Sequence, residues 1–99
     1  MVHHIVMWNF KEDIAKEDKP ELMKKMETAL CALVGQVPGL LTVQFVSNPI
    51  SSSTHEIALV TTLEKAEDIA VYATHPAHVA AADTYVRPYV CNRACLDYE

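Results

Sequence analysis

Val2-His3-His4-Ile5-Val6-Met7-Trp8-Asn9-Phe10 decides the fold, because it reads as a strand with two apolar faces. Side chains alternate across a strand, so Val2, His4, Val6, Trp8 and Phe10 share one face and His3, Ile5, Met7 and Asn9 the other. A strand wetted on one side would show polar residues at every second position. Here both faces need cover, one from the chain's own helices and the other from a further layer or a partner chain.

Outward from that strand, the next organised segment follows a polar connection. Asp18-Lys19-Pro20-Glu21 has the form of a helix start: a capping Asp, a proline in the first turn and a carboxylate three residues after the cap. Leu22, Met26, Ala29, Leu30, Leu33 and Val34 then fall on one helical stripe, which Gly35 ends. Pro38-Gly39 turns the chain into an extended run from Leu40 to Ser47, with Leu41, Val43 and Phe45 on one side and Leu40, Thr42, Gln44 and Val46 on the other.

The polar stretch Asn48 to Thr54 is a loop leading to a strand from His55 to Leu63. Glu64 to Tyr72 and Pro76 to about Arg87 read as two helical pieces, and Tyr89 to Tyr98 as a last strand. The order is βαββαβ. That order predicts an α+β, ferredoxin-like sandwich: a four-stranded antiparallel sheet with its helices on one face, a single domain over residues 1–99. The uncovered, two-sided sheet predicts a homodimer paired through the sheet faces.

A formal charge of -5, with only 8 Lys and Arg spread along the chain, provides no footprint for nucleic acid or an anionic membrane surface. No leader-like or membrane-length apolar run is visible, so a cytoplasmic protein is expected. Cys31, Cys91 and Cys95 are odd in number, and four strand residues would separate the last two by about 13 Å, too far for a bridge. They read as free thiols used for packing. With Gly35 and Gly39 the only glycines, a phosphate-cradling loop is excluded.

Chemistry concentrates in Tyr72-Ala73-Thr74-His75-Pro76-Ala77-His78-Val79. Proline suits the first helical turn and pushes its predecessor toward extended backbone, so His75 sits at a joint and His78 in the opening turn. There the positive end of the helix dipole is expected to keep the His78 ring neutral and able to accept a proton. His4 and His55 lie on strand faces with apolar neighbours, each open to a bland reading as a hydrogen-bonded core residue. Together with Tyr72 and His78 they suit a small-molecule pocket between sheet and helices. No zinc-type ligand spacing is present, and neither metal nor cofactor is expected.

The run Tyr72-x-x-His75-Pro76-x-His78-Val79, with Asp83, Val86-Arg87-Pro88 and Leu96-Asp97-Tyr98-Glu99, resembles the stress-responsive A/B barrel (Dabb) family of dimeric α/β barrel proteins. His4-Ile5-Val6 before Trp8-x-Phe10-Lys11 is similar to that family's first strand. The resemblance spans nearly the whole chain and implies a ferredoxin-like fold whose sheets pair into a barrel. It identifies an architecture better than an activity.

A plant member, olivetolic acid cyclase, uses a tyrosine and a histidine, without a cofactor, for an intramolecular aldol condensation of a polyketide thioester. By that similarity Tyr72 and His78 are the expected catalytic pair and His4 and His55 resemble accessory pocket histidines; Trp8 and Val79 are expected to join them in binding substrate. The run Ala80-Ala81-Ala82 departs from a pocket shaped for a long alkyl tail. Related folds also include cofactor-free monooxygenases, in which Trp8 and a histidine would act. The alternative is a non-catalytic stress-response or assembly protein with structural histidines.

Overall fold

Val2–Phe10 forms strand β1, from which the rest of the sheet is built, in a computed structural model that describes all residues from Met1 to Glu99. It is followed by α1 (Lys19–Cys31), β2 (Leu40–Val46), β3 (Ile57–Leu63), α2 (Glu67–Thr74), α3 (Pro76–Ala81) and β4 (Val90–Tyr98). The strands form one antiparallel sheet in the order β2-β3-β1-β4, and the helices cover one of its faces. This is the expected ferredoxin-like α+β sandwich. No helix is long and apolar enough to cross a membrane.

The core lies where α1 meets the inner sheet face, with Met26 and Leu30 of the helix and Leu33 of the turn after it clustered with Val2, Phe10, Phe45, Ile57 and Leu63. Full burial of a side chain such as Leu30 contributes roughly 1.5–3 kcal/mol. Val34 departs from its expected place on the stripe and is exposed, because the helix ends at Cys31 and the chain turns through Gly35, whose φ is +90°. Asp18 does not cap α1 either. Its backbone is already helical, in a 3-10 turn over Lys16–Asp18, so its side chain is not returned to the first free N–H groups.

Two strands differ from their expected patterns. A register shift between Leu40 and Thr42 turns Leu40 onto the core face with Phe45 and leaves Leu41 exposed. Strand β3 begins at Ile57 rather than His55, although the Glu56 N–H still bonds the Trp8 carbonyl at 3.1 Å. The Glu56 carboxylate accepts the Phe10 N–H at 3.0 Å and the Lys19 ammonium at 2.8 Å.

The β1–β4 pairing positions the site. His4 lies opposite Asp97 and Val6 opposite Cys95, so these four share the inner face. His3 and Ile5 lie opposite Tyr98 and Leu96 on the outer face, where the His3 and Tyr98 rings stack at 4.6 Å. That outer face is apolar and open in the single chain, with Leu96 60% and Tyr98 46% exposed.

Candidate active site

The break between α2 and α3 is built by two residues. His75 has the extended backbone that the following proline favours, and its Nδ1 accepts the Ala77 N–H at 3.1 Å. It is thus the N-cap of α3, a structural role that fixes the direction of the short helix. Pro76 opens the helix, and His78 stands two residues on. The chain then widens into a π-helical turn over Ala82–Val86, in which the Arg87 N–H reaches the Ala82 carbonyl at 2.8 Å. Such turns recur at functional sites.

Between these elements and the sheet lies a chamber of about 330 Å³. Val6, Trp8, Leu30, Leu59, Ile69, Ala82 and Val86 give it apolar walls, and His4, Tyr72 and His78 enter it as polar groups. Four of the expected site residues therefore come together: His4, Trp8, Tyr72 and His78. His55 and Val79 do not join them. His55 precedes β3, bonds the Thr54 hydroxyl through Nδ1 at 2.9 Å and borders a separate groove with Met7, Val46 and Pro49. Val79 is one residue, or about 100°, around the helix from His78, and it stays outside the chamber wall.

Tyr72 is 2% exposed, and its hydroxyl has no hydrogen-bond partner in the protein. Burial pushes the phenol up to about 12, so it remains a proton-bearing donor near neutrality. The Nδ1–H of His78 donates to the Ala73 carbonyl at 3.1 Å, an arrangement that leaves Nε2 as the unprotonated nitrogen.

Burial lowers the proton affinity of His78. The bond to Ala73 opposes that trend, and the guanidinium charges of Arg87 and Arg93 reinforce it. The direction is the one expected from the sequence, and burial of the ring is its largest cause.

The β4 side of the chamber carries residues that sequence reasoning did not place there: Arg93, Cys95 and Asp97, with Arg87 beside them. Period-two alternation puts Arg93, Cys95 and Asp97 on one face, but only the register with β1 identifies that face as the inner one. Cys91 and Cys95 are also exposed rather than packed, since β4 is an edge strand of the sheet. His4 is 8% exposed, and its Nδ1–H donates to the Asp97 carboxylate. The Cys95 sulfur lies 3.7 Å from the same nitrogen and 3.6 Å from the Asp97 oxygen. Donor atoms of His4, Cys95 and Asp97 thus fall within 4.8 Å of one another, although no ligand spacing of the zinc type is legible in the chain.

Comparison with known proteins agrees with this architecture. The family model described as the stress responsive A/B barrel domain matches residues 2–99. A dimeric protein with a ferredoxin-like fold from Bacteroides fragilis is 33% identical, with a TM-score of 0.89 over 99% of this chain and 94% of that one. A protein from Arabidopsis thaliana is 24% identical, with a TM-score of 0.76 over 100% and 94% of the two chains. The heme-degrader MhuD from Mycobacterium tuberculosis, solved with two hemes in its active site, is 24% identical, with a TM-score of 0.72 over 100% and 94%. No curated protein matches the chain.

Proposed function

The chain belongs to the stress responsive A/B barrel domain family, and on that premise we propose that it is a homodimer whose chambers each bind a small, largely apolar carbonyl compound of polyketide type. Within that chamber His78 acts as base and Tyr72 as hydrogen-bond donor in an aldol-type cyclisation. One observation carries this reading. The buried Tyr72 hydroxyl and the His78 Nε2, a donor and an acceptor, are both unspent by the protein and belong to side chains lining the same cavity. A buried polar group without a partner is rare, and a ligand oxygen would satisfy this one.

The chemistry follows from the two groups. Nε2 of His78 removes a proton from the carbon between two carbonyls, and the electron pair moves onto oxygen as an enolate. The Tyr72 O–H donates to that oxygen in a site poor in water, where such a bond is worth more than in solvent. The enolate carbon attacks a second carbonyl of the same molecule, and the imidazolium returns its proton to the new alkoxide. No electrons are lost or gained, so these two side chains suffice for the step.

The dimer is supported by the apolar outer face of the sheet and by the dimeric state of the Bacteroides fragilis relative.

The test is a panel of linear β-dicarbonyl compounds and thioesters, followed for binding and for ring-closed product, with wild type, His78→Ala and Tyr72→Phe. The expected outcome is product from the wild type and a loss of roughly 10²–10⁴-fold in rate for His78→Ala. Equal binding and equal product profiles for the three proteins would remove the assignment, and binding without turnover by the wild type would reduce it to a carrier.

A further inference from the structure

We propose that His4, Cys95 and Asp97 form a binding site for one divalent transition-metal ion of the zinc class, on the β4 side of the chamber. The backbone brings them there. His4 and Asp97 are directly paired across β1 and β4, and Cys95, two residues from Asp97, is the diagonal neighbour of His4 on the same inner face.

The arrangement is a closed triangle rather than a relay. A thiol activated by a histidine and carboxylate needs the carboxylate on one ring nitrogen and the sulfur on the other. In this protein the Asp97 oxygen and the Cys95 sulfur both meet Nδ1 of His4, and they also meet each other at 3.6 Å. A single nitrogen cannot pass a proton both ways. Three donor atoms that all lie within 4.8 Å of one another are a set that a single cation can bridge.

The distances agree with that use. With Zn–S near 2.3 Å and Zn–N or Zn–O near 2.0 Å, tetrahedral coordination separates sulfur from either other donor by about 3.5 Å. The observed separations are 3.7 and 3.6 Å. The nitrogen-to-oxygen edge would have to lengthen, since His4 and Asp97 are in direct hydrogen-bond contact. Asp97 can supply that movement, because its side chain is 40% exposed at the end of the edge strand. His4 is held more firmly, its backbone carbonyl accepting the hydroxyl of buried Thr61 at 2.9 Å.

One imidazole, one thiolate and one carboxylate make a borderline donor set, which suits Zn²⁺ or Co²⁺ and disfavours Mg²⁺ and Ca²⁺. On binding, the thiol gives its proton to solvent. Three protein ligands leave a further position, and all three residues line the chamber, so that position is available to a ligand oxygen. Metal uptake is read without turnover, so this inference stands or falls separately from the proposed cyclisation.

The experiment titrates Co²⁺, then competing Zn²⁺, into the reduced full-length protein while near-ultraviolet and visible absorption are recorded. The expected result is one Co²⁺ per chain, with a thiolate-to-cobalt charge-transfer band and tetrahedral visible bands that Zn²⁺ erases. Cys95→Ser abolishes the charge-transfer band, and Asp97→Asn weakens binding by on the order of tenfold or more. Cys31→Ser and Cys91→Ser keep the full signal. Far-ultraviolet circular dichroism of each variant separates loss of ligand from loss of fold. A charge-transfer band that survives Cys95→Ser, or no Co²⁺ bound at tens of micromolar by folded wild type, overturns the site.

Discussion

The rings of Tyr72 and His78 lie 4.3 Å apart, centre to centre, and are tilted by 45°, yet the Tyr72 hydroxyl is hydrogen-bonded neither to His78 nor to any other group. Two polar side chains in contact would ordinarily satisfy each other. Their separate availability is the main reason to read the chamber as a reacting site rather than as filled core.

Tyr72→Phe should therefore separate stability from function. Deleting a buried hydroxyl that has no partner is expected to leave stability unchanged or to raise it by up to about 1 kcal/mol. The same change should remove the donor and depress turnover of a β-dicarbonyl substrate. Chemical denaturation alongside the activity assay checks both, and a marked loss of stability would mean that the hydroxyl has a structural partner.

The pH dependence of stability has a definite sign. The proton affinity of His78 is lowered below its ordinary value of 6.5, so the unfolded chain binds this proton more readily than the folded one. Its contribution to stability should be complete above pH 6.5 and decline as pH falls through 6.5 toward the folded value. NMR of the imidazole should show a midpoint below 6.5, and His78→Gln should flatten this part of the stability profile. A midpoint at or above 6.5 contradicts the burial argument.

Leu96→Asp should dissociate the proposed dimer. Leu96 lies opposite Ile5 on the outer face, where a charge would be buried against a partner's apolar sheet. Light scattering should show a dimer for the wild type and a monomer for the variant. A wild-type monomer would leave the open sheet face without an explanation.

Gly39→Ala should destabilise the fold by roughly 1–3 kcal/mol, the usual cost of a strained backbone position. Gly39 has a φ of +82°, and an added Cβ would collide with the carboxylate of buried Asp68. That carboxylate accepts the Lys65 N–H at 3.2 Å beside the start of α2, so it has little freedom to retreat. A lower urea midpoint with unchanged slope is the expected measurement.

The fold was legible because β1 alternates between two apolar faces and α1 carries a helical stripe, periodicities that survive without tertiary information. The His75-Pro76 break was legible for a similar local reason. The place of His55 is not legible locally, because the alternation of its strand does not show that the residue precedes the first ladder pair at Ile57 and borders a separate groove. The closeness of Cys95 and Asp97 to His4 is not legible, because it depends on pairing between residues 91 and 93 positions apart in the chain. Local rules reach neither.

Strand β1 gives its even-numbered side chains to the cavity and its odd-numbered ones to the opposite surface. Substitutions at positions 4, 6 or 8 are thus expected to change the preference of the proposed binding chamber while leaving the proposed pairing of sheets intact. A single-residue insertion has the opposite character: it inverts both assignments downstream, so divergence along this strand is expected to proceed by replacement and never by change of length.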